Sequence, residues 1–425
     1  MTGVNKLLLS LAILVLMCTD IMATDGYFSH GIGTHYKMMG GAGISVPRSS
    51  LGVAINPAGI SFLETRYDLA LALFNPNRQY TVTGNSSLVG YGLYPGTYKS
   101  DKPVFFIPSL GANWKLGKKS ALGVAIYGNG GMNTEYPEID GTGVYGGTVP
   151  TGISLNQMFI NATYAFGLGE NHAIGASVVV GYQWFKAYGL DSFGNISSDP
   201  DNLSNNDNDH SPGIGFRLGY MGQVGPLHVG AYYQSKLSMA KFDKYKGLFE
   251  GQGSFDVPSS FGIGVGVDIG EKLTLLLDYK RIMYTDVPAV ANPYVSPILP
   301  DFTLNPEFIF LGDNGAMGFG WRDMDVFKFG VEIDLPKQFI LRAGYSYGKQ
   351  PIPESELLLN ILAPAVTENH ITAGFTRIFK NDNELNFSFM YAPTSSVTGP
   401  NAFDPGAQTI KLEMSQLEFE IGFAF

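Results

Sequence analysis

Cysteine is confined to Cys18, so neither disulfides nor thiol chemistry organise the chain beyond it. Charge is also sparse. Asp, Glu, Lys and Arg make up 15% of the 425 residues, against about 25% in ordinary globular domains. The formal net charge of −10 argues against nucleic-acid binding, which needs concentrated positive charge. No uninterrupted apolar run of about 20 residues follows the N-terminal segment, which excludes membrane-spanning helices there. His30, His35, His172, His210, His228 and His370 show no metal-ligand spacing of the HExxH kind, and no nucleophile elbow accompanies them. No catalytic residues, metal centre or cofactor are expected.

What is present is apolar in an ordered way. Residues 1–23 hold Lys6, an apolar run from Leu7 to Cys18 and the small Ala23, the layout of an export signal cleaved near residue 23. The run is too short for a membrane anchor. Met17 is bulky for lipid attachment at Cys18. At the other end, Leu417, Phe419, Ile421, Phe423 and Phe425 alternate with Glu418, Glu420, Gly422 and Ala424, a strand with one greasy face. The same period of two recurs at 174–184, 273–280, 327–334 and 385–391. At 261–267 the apolar residues oppose Gly262, Gly264 and Gly266, which lets interior groups approach the wall closely.

The connections between these segments fall into two classes. Short ones lie near 116–119, 167–171, 222–226, 269–272, 335–337 and 380–383. Long ones lie near 85–101, 130–154, 188–210, 237–252, 285–320, 350–368 and 393–411. Their alternation predicts an all-β fold: a 14-stranded antiparallel transmembrane β-barrel with short turns on the periplasmic side. A secreted sandwich or solenoid is the competing architecture, but no fixed-length repeat supports a solenoid. Trp114, Tyr164, Trp184 and Tyr233 are candidates for interface girdles. The acidic, Asn-rich stretch 199–210 reads as a solvated loop, with loose binding of a divalent ion as the alternative.

Residues 24–65 do not alternate. They are rich in Gly, Met, Ile and aromatics, too apolar for a disordered leader. A fourteen-stranded barrel is too wide for its own side chains to fill. A compact N-terminal plug (hatch) inside the lumen answers both facts, with Asn56-Pro57 as a rigid turn. The expected organisation is therefore an export signal at 1–23, a hatch at 24–65 and a barrel at 66–425.

Several motifs then carry a family resemblance. They are the Gly-rich opening of the leader, Asn56-Pro57-Ala58, the strand at 67–83, the stretches 123–136, 320–324 and 341–353, and the terminal Gly422-Phe423-Ala424-Phe425. The chain resembles FadL-type transporters of long-chain fatty acids and hydrocarbons in Gram-negative outer membranes. The resemblance implies that ligand is captured among the extracellular loops, passes to a luminal pocket, and leaves sideways at an inward kink of the third strand when the hatch rearranges. Carried over, the kink falls at Tyr127, Gly128, Asn129, Gly130 and Gly131, whose glycines also suit either an interrupted strand or a plain strand-to-loop junction.

Apolar hatch residues Tyr27, Phe28, Ile32, Tyr36, Met38 and Met39, with Asn56, Pro57 and Ala58, are candidates for the hatch and luminal pocket, or simply for plug packing. Arg217, Lys280 and Arg342 fall on the inward faces of their strands as candidate head-group contacts; Asp278, Glu332, Glu418 and Glu420 are inward acids that would otherwise pair with them. The unusually apolar loops 285–320 and 350–368 offer Phe302, Leu304, Phe308, Phe310, Leu357 and Leu358 as a capture groove, or pack on one another. Arg322 is expected to order the 285–320 loop by pairing with Asp323 or neighbouring residues. The implied function is passive uptake of hydrophobic compounds, long-chain fatty acids first and monoaromatic or aliphatic hydrocarbons as the alternative; an adhesive or structural barrel is the reading from another class. Expected partners are a hydrophobic small molecule, outer-membrane lipid and lipopolysaccharide, with the protein a monomer.

Overall fold

The computed structural model describes residues 25–87, 93–299 and 303–425. The expected export signal and Phe302 lie outside them. Fourteen strands form the wall. The first seven are β1 (Arg66–Thr83), β2 (Phe105–Leu116), β3 (Ser120–Tyr136), β4 (Thr151–Gly167), β5 (His172–Tyr188), β6 (Asp209–Val224) and β7 (Leu227–Gln234). The rest are β8 (Ser260–Ile269), β9 (Leu273–Ile282), β10 (Met324–Leu335), β11 (Phe339–Gly348), β12 (Asn369–Ile378), β13 (Glu384–Pro400) and β14 (Thr409–Ala424).

Each strand pairs antiparallel with its sequence neighbours, and β14 returns to β1 with Asp68 opposite Ala424 and Thr83 opposite Thr409. The sheet therefore closes, and every wall strand finds two partners. Closure is what lipid demands, because no water is there to satisfy an open edge. Strands such as β1, with 18 residues, exceed the roughly 9–11 needed to cross a bilayer, so part of the wall projects beyond it. Outside the ring, Gly96–Lys99 pairs with β1 and Ser238–Met239 with β6.

The alternation assigns the faces correctly. Ile263 is 58% exposed, like its apolar neighbours on β8, whereas Gly262, Gly264 and Gly266 face the enclosed side. On β14, Phe419, Ile421 and Phe423 point outward and Glu418 and Glu420 are buried. Val179, which breaks the pattern on β5, is buried in the apolar core. The short turns fall where expected, but several loop limits shift. The expected loops 130–154 and 393–411 shrink because β3 and β13 continue through bulges at 128–130 and 392–395. The ladder absorbs an extra residue there instead of ending. Conversely, the loop expected to end at 252 continues until β8 begins at Ser260. Trp114 and Tyr164 lie outward near the short-turn rim, where Trp114 Nε1 donates to Tyr67 Oη at 3.1 Å. Tyr233 faces outward at the opposite end of its strand.

Residues 25–63 form a short helix (Thr34–Lys37) and two 3-10 turns (Ser50–Ala54 and Pro57–Phe62), nearly all buried, with close contacts to wall strands. Close approach is permitted by wall glycines. A Cβ on Gly230 would sit 2.0 Å from Ile44 O, and one on Gly344 2.0 Å from the Met39 carbonyl carbon. Asn56 uses both ends of its amide: Oδ1 accepts from Ala58 N at 3.1 Å, and Nδ2 donates to Ile44 O and Tyr220 O at 2.8 Å. Pro57, with no N–H to lose, opens the turn at its first position.

Candidate functional site

The third strand supplies the centre of the site. Gly128 pairs with Met158 and Gly130 with Gln157, so Asn129 between them is an unpaired bulge. Its side chain donates to Gln157 Oε1 at 3.0 Å. Backbone groups freed by a bulge need other partners, and here they come from the start of the described chain. Ser29 N donates to Asn129 O at 2.9 Å, Gly131 N donates to Tyr27 O at 3.0 Å, and Phe28 and Gly130 form an isolated antiparallel bridge. Asp25 to Phe28 is itself a tight turn, closed by Asp25 N to Phe28 O at 2.7 Å. One turn of the N-terminal segment thus lies as a short strand on the kink.

Charge fastens that turn. Asp25 Oδ2 lies 3.1 Å from Lys328 Nζ on β10 and 3.2 Å from Lys280 Nζ on β9. Burial by itself would raise the Asp25 carboxyl, but Lys328 and Lys280 outweigh it and hold it well below the usual carboxylate range. Lys280 also lies over the Phe28 ring, 5.4 Å from its centroid. Further along the segment, Lys37 bridges Glu418 at 2.9 Å and Glu420 at 2.7 Å, Arg48 meets Glu332 at 2.9 Å, and His35 Nε2 lies 2.8 Å from Glu384. Burial opposes the charge on Lys37, and the two glutamates more than reverse that, raising its pKa.

An inner cavity of about 60 Å³ adjoins the turn, lined by Phe28, Ile32, Tyr127, Asn129, Arg217, Tyr232, Lys280 and Lys328 among others. Of the three candidate head-group cations, Lys280 is taken by Asp25, and Arg342 by Glu332 at 2.5 Å on its own wall. Arg217 differs. Its guanidinium donates to Gln234 Oε1 and stacks on Tyr232 at 5.3 Å, while Nε and Nη1 are buried without an acceptor. Among the described residues it has no carboxylate partner. Asp278 accepts from Gly43 N at 2.7 Å and Ile44 N at 2.9 Å, so this inward acid serves the segment's backbone.

A second cavity of about 50 Å³ lies between the long loops and the ends of β4 and β5 and is lined by apolar side chains: Ile153, Phe185, Leu190, Phe193, Leu248, Phe249, Ala289, Leu311, Met317, Gly318, Phe319, Leu359 and Leu362. The expected loops 285–320 and 350–368 both contribute to it, through neighbours of the residues singled out above. Leu304 and Phe310 are exposed, Phe308 is half-buried against Phe310, and Leu357 and Leu358 are buried in the core beside the cavity. Both cavities fall below the roughly 150 Å³ that houses a benzene, so either must widen to admit cargo.

The structure therefore brings Phe28, Ile32, Tyr127, Asn129, Arg217 and Lys280 together around one space. Tyr27 packs beside it against Phe28, Tyr284 and Trp321. Tyr36, Met38 and Met39 serve packing: the Tyr36 hydroxyl accepts from Arg48 N at 2.8 Å, and Met38 and Met39 abut Gly374 and Gly344. Asn56, Pro57 and Ala58 sit away from the cavity, against β5 and β6. Asp323 pairs with Arg281 at 3.2 Å, not with Arg322, whose backbone N–H instead meets Pro351 O at 2.9 Å. Nothing in the local sequence marks Asp25, Lys37, Arg48 and Lys328 as partners between the N-terminal segment and the wall. Lys328 carried a signal, a lone cation on an inward position, but nothing local named its partner.

A closed, fourteen-stranded wall with an apolar outer face defines an outer-membrane β-barrel, crossing the membrane many times. Over residues 31–412 the chain matches the family described as outer membrane protein transport protein (OMPP1/FadL/TodX), and it belongs to that family of transporters, which are not enzymes. A long-chain fatty acid transport protein of Escherichia coli O6:H1 is 23% identical over 392 residues, 86% of this chain and 85% of that one. The fold is shared with the toluene transporter TodX of Pseudomonas putida (TM-score 0.66, 18% identity, 93% of this chain and 98% of that one). A FadL homologue of Pseudomonas aeruginosa aligns with TM-score 0.67 at 13% identity, over 94% and 99% of the two chains. The protein is a transporter of hydrophobic small molecules.

Proposed function

We propose that the cargo is a neutral hydrocarbon, monoaromatic or aliphatic, taken up by passive transfer through a gated lumen. The outer cavity, lined by apolar side chains, supports a cargo without a charged end, since a carboxylate there would meet no charged or polar side chain. Burying eight carbons releases about 6 kcal/mol at roughly 0.8 kcal/mol per methylene. Capture is therefore easy, and release is the step a protein must arrange. Residues 25–63 act as the hatch that closes the lumen, and the turn at 25–28 is its gate. The observation that carries this reading is the bridge between Phe28 and Gly130: the segment's end is docked on the bulge of β3. Undocking frees the bulge, and cargo then leaves sideways into lipid without crossing water. The wall acts as a monomer ringed by lipid, with lipopolysaccharide at its outer rim.

Removing residues 24–32 tests this. Uptake of radiolabelled toluene should fall severely while the barrel keeps its heat-modifiable migration on gels; unchanged uptake with a folded barrel refutes the gate. One observation favours a second cargo. Arg217, buried with two idle donors beside the inner cavity, suits the carboxylate of a long-chain fatty acid.

A further inference from the structure

The outer cavity is walled partly by the connection between β9 and β10, and one side chain of that connection reaches the N-terminal turn, whose Phe28 lines the inner cavity. Tyr284 is fully buried; its hydroxyl donates to Asp25 O and accepts from Tyr27 N at 3.2 Å. Burial pushes the phenol well above its usual pKa, so the donated proton stays in place. Gly26, at φ +70°, is the residue that leaves room for it: a Cβ there would lie 2.2 Å from the Tyr284 hydroxyl. The ring centroid of Tyr284 is 5.3 Å from that of Tyr27 and 5.1 Å from that of Trp321.

Tyr284 does not line the outer cavity, but it opens the connection whose later residues do. Val287 N donates to Tyr284 O at 3.1 Å, Val290 N to Val287 O at 2.9 Å and Trp321 N to Val290 O at 3.0 Å. Ala289 and Phe319, which line the cavity, adjoin this hydrogen-bonded unit in the chain: Ala289 precedes Val290, and Gly318 N and Gly320 N on either side of Phe319 both donate to Asn292 O at 3.0 Å. The other polar contacts to the turn come from elsewhere: Lys280 and Lys328 stand on wall strands, and Asn129 and Gly131 on the bulge. Wall strands are held on both sides by ladders. Among the described hydrogen bonds, those of Tyr284 are the ones that join the turn to a cavity-lining loop.

We propose that Tyr284 is a positioning residue that couples filling of the outer cavity to release of the turn over the β3 bulge. The inference rests on the transport reading above. Cargo larger than the cavity displaces Ala289 and Phe319, the unit carrying Tyr284 shifts with them, and its hydroxyl withdraws from Asp25 and Tyr27. The gate then opens only when cargo already waits outside.

The experiment uses the full-length protein in lipid nanodiscs with a nitroxide on Ser29→Cys, Cys18 replaced by Ser. In the otherwise native protein, added toluene should create a mobile spectral component. Tyr284→Phe keeps the ring and removes the hydroxyl. Its mobile-to-immobile ratio should rise about thirtyfold without toluene, as expected for loss of two buried hydrogen bonds at about 1 kcal/mol each, and toluene should add little more. Gly26→Ala attacks the same contact from the other side and should give the same spectrum, independently of any folding defect in the first variant. Toluene binding is measured on each sample. Binding with spectra that neither substitution alters overturns the coupling while sparing the transport reading. Failure of the native protein to bind toluene or an alkane overturns both.

Discussion

Asp25→Asn removes the carboxylate that sits between two ammonium groups at the start of the turn. Its Oδ2 is 3.1 Å from Lys328 and 3.2 Å from Lys280, and Asp25 is fully buried. Deleting one partner of a buried ion pair costs about 3–5 kcal/mol, because the opposite charge is left unpaired. The cost falls on the docked turn rather than on the barrel, since undocking lets both lysines take up water. At the lower end, about 3 kcal/mol is roughly 150-fold in the ratio of docked to undocked turn. Hydrogen exchange reads this directly. The amides of Phe28, Ser29 and Gly131, bonded to Asp25 O, Asn129 O and Tyr27 O, should lose protection by about 100-fold. Amides in 34–63 should keep theirs, held by Lys37 on Glu418 and Glu420 and by Asn56 on Ile44 and Tyr220. Unchanged protection at 25–29, or equal loss across 25–63, would refute the idea that charge fastens this turn separately.

Three further outcomes follow from the same contacts. Burial, reinforced by Lys37, His370 and Lys328, depresses His30 well below its usual value, so the released segment binds the proton better than the docked one. Docking should be strongest above pH about 6.5 and weaken as pH falls below it, by up to about 1.4 kcal/mol per unit; the Asp25 pair stays charged through that window because its carboxyl lies below the usual range. His30→Gln should flatten the exchange of the turn between pH 7 and 5, and a retained slope would exclude His30 as its source. Arg217→Met should weaken oleate binding by about 10–100-fold, the worth of a charge-assisted hydrogen bond, and leave toluene binding nearly unchanged; equal effects on both would remove Arg217 from head-group recognition. Gly344→Val places a side chain where the Met39 carbonyl carbon lies 2.0 Å from a Cβ. It should dislodge the segment there and raise single-channel conductance in planar bilayers, with native conductance as the refuting result.

The wall was legible residue by residue. A period of two in 417–425, or in 261–267, states which side chains meet lipid and which face inward, because strand geometry fixes that alternation locally. Short and long connections gave the strand number for the same reason. The bulge at Asn129 was legible only in part: its glycines announced an irregularity, but also matched a strand end, and β3 in fact continues to Tyr136. The loops misled in detail. Phe310 and Leu304 are apolar and exposed, whereas Leu311 and Met317, of the same composition, line the outer cavity. Hydrophobicity alone does not order loop residues in space. Arg281, not Arg322, meets Asp323, since adjacent residues at a strand start diverge and cross-strand neighbours converge.

The sequence by itself determined the barrel, its strand count and the inward position of wall charges such as Arg217, Asp278, Glu332, Arg342, Glu418 and Glu420, all consequences of a repeat that spans two residues. Only the tertiary structure decided which charges meet. Asp25 and Lys328 lie 303 residues apart, and no local pattern links them. Partnership between the N-terminal segment and distant wall strands depends on ring closure and on the path of that segment. Those same two features leave Arg217 with idle donors and set the Tyr284 hydroxyl on the turn that covers the bulge.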